Sequence, residues 1–170
     1  MAKPKTNLKL LEQRLDAETR IRDDHHLSVR LWLRLLACTN RIEGVVRQRL
    51  QADFQTTLPR FDLLAQLERA RQGLRMSELS QRLMVTGGNV TGITDGLEKE
   101  GLVVRESDPS DRRAFKVKLT AEGQRQFARM AAEHEQWIIG LFEQMSTKDK
   151  NQLVELLGKL KSHISQTPDL

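Results

Sequence analysis

The sequence predicts a mainly α-helical protein with a small β-hairpin, arranged as a winged helix-turn-helix flanked by N- and C-terminal dimerisation helices. Two short helical segments, residues 76–83 and 88–100, are separated by a tight turn. Two segments with the alternation of strands, residues 102–106 and 115–119, follow and are joined by a charged loop (107–114). On both sides of this unit, apolar residues recur at steps of three and four, which is typical of amphipathic helices.

Residues 1–23 are expected to form an N-terminal extension. Residues 1–7 are polar and basic, which favours disorder. Residues 8–21 carry leucine and isoleucine at loose helical spacing among charges. This segment is predicted to be a helix, either as an arm that wraps a partner subunit or as a frayed extension.

A long helix is predicted over residues 24–54, with an apolar stripe made of Leu27, Leu31, Leu35, Cys38, Ile42, Val45 and Val46. The stripe is too long for one small core, so part of it is expected to face a second subunit. Residues 24–56 and 120–165 are therefore assigned to a helical dimerisation region. Within the stripe, Cys38 is expected to be a small buried hydrophobe, and an oxidant-sensing thiol is the alternative.

The start of this helix is crowded with cationic and aromatic side chains: His25, His26, Arg30, Trp32 and Arg34. Adjacent histidines point in different directions and cannot form an i, i+4 metal pair, so no metal site is predicted. Arginine beside a tryptophan can bind the carboxylate or phosphate of an aromatic ligand. A solvated charged face explains the same residues equally well.

Residues 57–119 are predicted to form one module that reads double-stranded DNA. Its first helix begins near Pro59, because proline is favoured at the first helical position, and ends at Gly73. A helix-turn-helix followed by a basic hairpin is built to place its second helix in a DNA major groove. The inner, apolar face of that second helix consists of Val90, Ile93 and Leu97.

The outer face of the second helix carries glycines. Gly88 and Gly92 point away from the apolar face, although each glycine costs a helix about 1 kcal/mol relative to alanine. Crowding by a neighbouring helix is one explanation, and close approach to an outside partner fits the outward direction better. Thr86 is placed to cap the helix, and the side chains of Asn89 and Thr91 can contact base edges. The predicted DNA-binding residues of this helix and its turn are Thr86, Gly87, Gly88, Asn89, Thr91 and Gly92.

The wing is predicted to be a hairpin with one apolar and one basic face. Arg112, Arg113 and Lys116 are predicted to contact phosphates or to enter a minor groove. Asp111 is expected to brace the wing by pairing with Arg113 or Arg105. A solvated surface loop explains the same charges, and both interpretations can hold at once.

Two helices are predicted after the wing. The first runs from Thr120, which caps it, to about residue 145, and the second begins after a cap at Ser146 or Thr147. His134 lies on the apolar side of the first of these helices, where a hydrogen-bonded core residue is commoner than a ligand contact.

Three blocks of sequence carry a resemblance to a known family. Residues 97–105 read Leu-Glu-Lys-Glu-Gly-Leu-Val-Val-Arg, residues 108–113 read Asp-Pro-Ser-Asp-Arg-Arg, and residues 119–123 read Leu-Thr-Ala-Glu-Gly. In content and spacing they resemble the MarR family of bacterial transcription regulators. The family's Asp-x-Arg wing motif falls within the second block.

The resemblance implies a homodimer with a winged helix-turn-helix in each subunit and regulation by a small ligand. It implies that ligands bind between the long first helix and the dimer helices, where the candidates are Arg30, Arg34, His134 and Trp137. Residues 88–91 are similar to family members that control the breakdown of aromatic acids, so a small aromatic acid or its coenzyme A thioester is the predicted effector. The predicted function is a ligand-responsive repressor that binds an inverted repeat in double-stranded DNA.

The composition limits which binding partners and which cellular location are expected. The 170 residues include 28 Lys+Arg and 23 Asp+Glu, and the resulting net charge of +5 permits nucleic-acid binding. Aromatic residues make up 4% with no tyrosine, so stacking on single-stranded bases is not expected. No apolar run approaches the roughly 18 residues of a membrane span. One cysteine and the absence of a signal peptide predict a cytoplasmic protein.

Two other function classes fit the sequence less well. An enzyme needs a nucleophile–base pair, a phosphate loop or a metal set, and because none is visible, neither an enzyme nor a cofactor is predicted. A helical protein–protein adaptor accounts for the amphipathic helices. It leaves the basic wing and the glycine-faced helix unexplained.

Overall fold

The computed structural model describes residues 26–83, 86–108 and 111–166, and the side chains of residues 108 and 111–114 are outside that description. His25 and the predicted N-terminal helix also lie outside the described residues. The prediction of a mainly helical fold with a small sheet is confirmed. The elements are α1 (Leu27–Phe54), α2 (Leu58–Arg69), β1 (Leu74–Arg75), α3 (Met76–Leu83), α4 (Gly87–Lys99), β2 (Val103–Asp108), β3 (Asp111–Leu119), α5 (Ala121–Leu141) and α6 (Thr147–Gln166).

The sheet has three antiparallel strands in the order β1-β3-β2, one strand more than the predicted hairpin. Leu74 of β1 and Arg105 of β2 both pair with Val117, at the centre of β3. The predicted end of α2 at Gly73 is wrong, because the helix stops at Arg69 and the chain turns into β1. A strand of two residues has no alternation from which a sequence pattern can predict it.

The wing strands are longer than predicted. The extent of the predicted loop (107–114) is wrong, because β2 continues to Asp108 and β3 begins at Asp111. The register shifts between Ser107 and Asp108, and such irregularities twist and bend a hairpin near its tip. The predicted turn at Asp108-Pro109 falls where the description of the chain stops.

The chain divides into two compact units, one ending at Ala131 and the other beginning at Ala132. In the first unit, α2 contributes Phe61, Leu63, Leu64 and Leu67 to the core, and the ring of Phe61 lies 5.5 Å from that of Phe127 between centroids. The proposed division of roles at residues 57 and 119 stays a prediction. The buried apolar residues are Val46, Leu50, Phe61, Leu63, Leu64, Leu67, Leu74, Leu79, Val90, Leu97, Leu102, Val103, Val117 and Met130.

The N-terminal half of α1 is exposed in the protomer. The buried residues of this helix are Val46 and Leu50, both near its C-terminal end, whereas Trp32 is 59% exposed. Cys38 is also exposed in the protomer, so its expected burial is wrong for the protomer's own core. The apolar stripe does not face the protomer's own core along this half of the helix.

The second unit contains the end of α5 and all of α6. The predicted cap at Ser146 is confirmed, because its hydroxyl oxygen accepts the Asp149 N–H at 3.1 Å. The preceding helix ends at Leu141, a little before the predicted position. No residue described in α6 is buried, and Ile164 is 62% exposed. This helix therefore presents an apolar surface to solvent in the protomer.

The junction between the sheet and α5 is built on the backbone carbonyl of Leu102. The Thr120 N–H donates to that carbonyl at 3.0 Å, and the Thr120 hydroxyl oxygen accepts the Gly123 N–H at 3.0 Å, which confirms the predicted cap. A Cβ on Gly123 would lie 1.9 Å from the Leu102 oxygen. The Leu-Thr-x-x-Gly block thus allows α5 to approach the strand closely.

Gly123→Ala is expected to lower the free energy of unfolding by about 1–3 kcal/mol or more, because backbone must move to admit the methyl group. Gly140→Ala is the matched control in the same helix, where an added Cβ meets no described atom within 4 Å. That control is expected to gain up to about 1 kcal/mol. Urea denaturation of both variants measures the difference, and equal stability would contradict the close approach.

Candidate DNA-binding surface

The first helix of the helix-turn-helix, α3, has the predicted bounds and begins with a capping interaction. The Glu78 carboxylate accepts the Arg75 backbone N–H at 2.7 Å, which is one half of a capping box. Leu79 of α3 is fully buried. The helix is thereby fixed at its start and along its inner face.

The inner face of α4 agrees with the prediction and includes one residue more. Val90 and Leu97 are fully buried, and Ile93 is half-buried. Thr94 is buried as well. Its hydroxyl donates to the Val90 carbonyl at 2.8 Å, so the hydrogen bond that the hydroxyl would make to water is replaced within the helix. A pattern of apolar residues does not predict the burial of this threonine, because threonine is not counted as apolar.

The end of α4 is a Schellman motif. The Gly101 N–H donates to the Glu98 carbonyl and the Leu102 N–H to the Leu97 carbonyl, both at 2.9 Å. Gly101 has a φ of +72°, in the left-handed region that glycine adopts without strain. This motif sets the direction in which the chain leaves α4 for β2.

The outer face of α4 is open at its N-terminal end. Gly87, Gly88, Asn89, Thr91 and Gly92 are all exposed. A Cβ built on either Gly88 or Gly92 meets no atom of the described residues within 4 Å. Crowding by a neighbouring helix therefore does not explain these glycines within the described part of the protomer.

Thr86 stands at the N-cap position of α4, but its predicted capping role is wrong. Its side chain makes no capping hydrogen bond, and its backbone carbonyl instead accepts the Asn89 and Val90 N–H groups at 3.1 and 3.2 Å. The side chain is exposed. Backbone N–H groups of a helix's first turn generally lack intrahelical acceptors and carry partial positive charge, which favours a bound anion.

Arg105 fastens the wing to α4. Its guanidinium donates to the carboxylates of both Asp95 and Glu98, and its backbone N–H donates to Glu98 at 3.2 Å. The hydrogen bond to Asp95, with the charges of both carboxylates, raises the pKa of Arg105 above its ordinary value. Arg105 is thus a bracing residue whose described partners lie on α4. The predicted pairing of Asp111 with Arg113 or Arg105 lies outside the described side chains and stays a prediction.

The other predicted wing residues are placed less completely. The side chains of Asp111, Arg112 and Arg113 lie outside the described residues, so their contacts stay predictions. Lys116 is half-buried on the face of the sheet opposite Arg105, where its backbone pairs with Glu106. Its position is at the middle of β3, away from the wing tip.

The candidate ligand residues fall in different units. Arg30 is half-buried and Arg34 exposed, both on α1 in the first unit. In the second unit, His134 and Trp137 meet edge to face, with ring centroids 6.3 Å apart. Their shared role in ligand binding stays a prediction.

The described ranges contain neither a candidate metal site nor a candidate membrane span. Among those residues, no group of three or more His, Cys, Asp or Glu side chains is arranged to hold a metal ion. No described helix combines the length and apolar character needed to cross a membrane.

Comparison with known proteins gives one family. The model of the MarR family matches residues 56–115. A MarR family transcriptional regulator of Silicibacter pomeroyi is 32% identical, with 84% of this chain and 99% of that one covered and a TM-score of 0.69. Sco3205 of Streptomyces coelicolor, a MarR family regulator solved in complex with DNA, is 27% identical over 78% of this chain and 84% of that one, with a TM-score of 0.68.

The transcriptional repressor YetL of Bacillus subtilis is 32% identical over 96 residues, which are 56% of this chain and 58% of YetL. The matched stretch therefore spans less than two thirds of that relative.

A helix-turn-helix with an open second helix and an attached wing defines a DNA-binding transcription regulator. The chain belongs to the MarR family. The predicted resemblance is confirmed, and with it the prediction that the protein is a regulator and not an enzyme.

Arg105→Gln is expected to lower the free energy of unfolding by about 1–2 kcal/mol, because it leaves Asp95 and Glu98 without their shared partner. Lys118→Gln is the control, since it removes a 2.7 Å ion pair with Glu106 on the opposite face of the sheet. Lys118 is about as exposed as Arg105 but makes only one ion pair, which is worth less than about 1 kcal/mol. Amide exchange should accelerate in β2 and β3 of the Arg105 variant alone, and equal exchange in both variants would contradict the bracing role.

Proposed function

We propose that this regulator binds an inverted repeat as a homodimer, reads it with the N-terminal half of α4, and is a repressor released by a small aromatic acid or its coenzyme A thioester. The observation that carries the proposal is the open outer face of α4, where Gly88 and Gly92 leave room above the backbone. A methyl-free helix surface lets backbone N–H groups and short side chains come close to a groove.

Asn89 and Thr91 are the proposed base-reading residues of this face. Asn89 can pair with the edge of adenine. The Thr91 hydroxyl donates to the Gly87 carbonyl at 2.9 Å, so its oxygen is left to accept a hydrogen bond and its methyl group to contact thymine. We therefore propose that Thr91 either accepts a hydrogen bond from the amino group of cytosine or adenine or contacts the methyl group of thymine.

The wing is proposed to act beside the reading helix. Arg112 and Arg113 follow the start of β3 and are suited to phosphate or minor-groove contacts. Arg105 supports them indirectly, because it ties β2 to Asp95 and Glu98 of α4. The spacing between the reading helix and the wing is thereby fixed before DNA is bound.

The exposed apolar surfaces of α1 and of α6 support a homodimer. Leu27, Leu31 and Trp32 of α1 are at least half exposed, and so are Leu156 and Ile164 of α6. Exposed apolar surface of this extent marks an interaction site. Two copies would present two reading helices roughly 34–36 Å apart, the spacing of half-sites one DNA turn apart.

The proposal of a repressor is supported by a relative, and the proposal of its release by a ligand is supported by the candidate ligand residues. YetL is a repressor, which favours repression over activation for this protein as well. Arg30 or Arg34 can bind an acidic group, and His134 and Trp137 can pack on an aromatic ring. A thermal-shift screen of aromatic acids and their coenzyme A thioesters is the direct test of the effector class.

Gly88→Ala and Gly92→Ala are each expected to raise the melting temperature, because alanine adds up to about 1 kcal/mol of helix stability. Each is also expected to weaken specific operator binding tenfold or more, since the methyl group lengthens base contacts worth about 1–3 kcal/mol. Titration uses DNA from upstream of the coding region.

Gly96→Ala is the matched control, because an added Cβ there also meets no described atom within 4 Å and Gly96 lies about two turns beyond Gly88 and about one turn beyond Gly92. It should stabilise the protein with a smaller loss of operator affinity. Unchanged operator binding by both Gly88→Ala and Gly92→Ala would refute the proposed reading face.

Sedimentation velocity at micromolar concentration is expected to show a dimer. Leu156→Glu, on the apolar stripe of α6, should dissociate it, because a charge is costly to bury in an apolar interface. Val154→Glu is the control, since Val154 is 71% exposed and lies beside the stripe. A folded wild-type monomer at this concentration would contradict the proposal.

A further inference from the structure

One aromatic side chain of the wing lies on the core face of the sheet but outside the core. Phe115 of β3 is 52% exposed in the described protomer. Further along the same face of the strand, Val117 is fully buried and Leu119 is half-buried. The apolar face of β3 therefore continues past the end of the core, towards the wing tip.

The strand register places Phe115 on the side of the wing that faces α4. Val117 pairs with Arg105, and Phe115 pairs with Ser107 just before the register shifts, so these four residues share one face of the sheet. From that face, the guanidinium of Arg105 reaches the carboxylate of Asp95 on α4. Phe115 lies two residues nearer the tip than Val117, which is about 7 Å along the strand.

The side of α4 that receives Arg105 is the side that carries the glycines. Gly88, Gly92 and Asp95 follow one another at steps of four and three residues, which puts them on one side of the helix. Asp95 pairs with Arg105, and the two glycines leave the N-terminal part of this side without side chains. A gap between α4 and the wing results, with the Arg105–Asp95 ion pair at one end and Phe115 on the wing side.

The sequence around Phe115 is cationic, with Arg112, Arg113 and Lys116 within three residues of it. An apolar ring among cations suits a polyanion that has apolar groups of its own. The DNA backbone is such a polymer, because its phosphates alternate with deoxyribose rings that present C–H groups. The charge therefore favours a DNA strand over an apolar protein surface as the occupant of the gap.

We propose that Phe115 packs on a deoxyribose of the DNA strand that passes between α4 and the wing. The proposal rests on the proposed function, in which α4 enters the major groove and the wing lies beside it. The exposed ring loses contact with water when it covers a sugar, so it stabilises the complex without any charge. A sugar contact carries no base information, and it fixes the position of the strand relative to α4.

Phe115→Ala should weaken binding to DNA from upstream of the coding region about tenfold, the loss expected for roughly half of a phenyl side chain's apolar area. The slope of log affinity against log salt should stay that of the wild type, because phenylalanine releases no counterions. Loss of a phosphate contact would instead reduce that slope by about one unit. Unchanged affinity or a reduced slope would overturn the proposal.

Val104→Ala is the matched control. Val104 is 37% exposed and lies next to Arg105 in β2, on the opposite face of the sheet from Phe115. Its truncation also removes exposed apolar surface from the wing strands, and it should leave DNA affinity unchanged. An equal loss in both variants would indicate a general effect on the sheet and would overturn a contact specific to Phe115.

Hydroxyl-radical footprinting locates the contact on the DNA, because these radicals cleave DNA by attacking deoxyribose C–H bonds. Phe115→Ala should lose the protection of one short stretch of the backbone in each half-site and keep the remainder. A footprint identical to that of the wild type would contradict the sugar contact. Thymines that become reactive to permanganate only with Phe115 present would indicate insertion of the ring between bases, and would also overturn packing on the sugar.

Photocrosslinking decides the matter if Phe115→Ala unfolds. Substitution of p-benzoylphenylalanine for Phe115 keeps a phenyl ring at this position, and irradiation joins it to C–H groups within reach. It should crosslink to DNA, whereas the same amino acid substituted for Val104 should not, and no crosslink from residue 115 would refute the contact. A wild-type chain that binds no DNA would refute the proposed function itself. Wild-type binding with equal binding by Phe115→Ala would refute the contact alone.

Discussion

The backbone carbonyl of Leu102 holds the end of α4, the sheet and the start of α5 in one arrangement. It accepts the Thr120 N–H, and Gly123 packs directly against it. The N–H of the same residue donates to Leu97 in the last turn of α4. Consecutive backbone groups therefore join the end of α4, the first strand of the wing and the start of α5. Because hydrogen bonds tolerate little change in length and angle, none of these elements can shift without the others.

Arg105 adds a second connection of a different kind. It reaches from β2 to two carboxylates on successive turns of α4, so the wing follows the helix through charge-assisted hydrogen bonds. Because the wing is tied to the C-terminal half of α4, the DNA contacts proposed for the helix and for the wing cannot be adjusted fully independently. The proposed mode of binding therefore predicts discrimination by groove width and local twist as well as by base edges, because a poorly shaped site must deform to meet both contacts.

The sequence patterns predicted the parts of the fold that rest on long periodicity or on spacing between blocks. The helices, the hairpin and the outward direction of Gly88 follow from such patterns. Other features depend on three-dimensional context that no pattern contains. The exposure of Cys38 follows from which side of α1 the core occupies, and Thr94 is buried because its hydroxyl finds a carbonyl in its own helix. Arg105 meets Asp95 and Glu98 only because β2 folds back beside α4.

The distribution of restraints along α4 has a thermodynamic consequence. Glycine occupies four of its thirteen positions, and glycine loses more conformational entropy on ordering than any other residue. The Thr94 hydrogen bond, the Arg105 pairs and the Schellman motif all restrain its C-terminal half. The first turn is therefore expected to fray in the free protein, with low protection of its amides. Ordering that turn against DNA therefore carries an entropic cost that the contacts made by the ordered helix must offset.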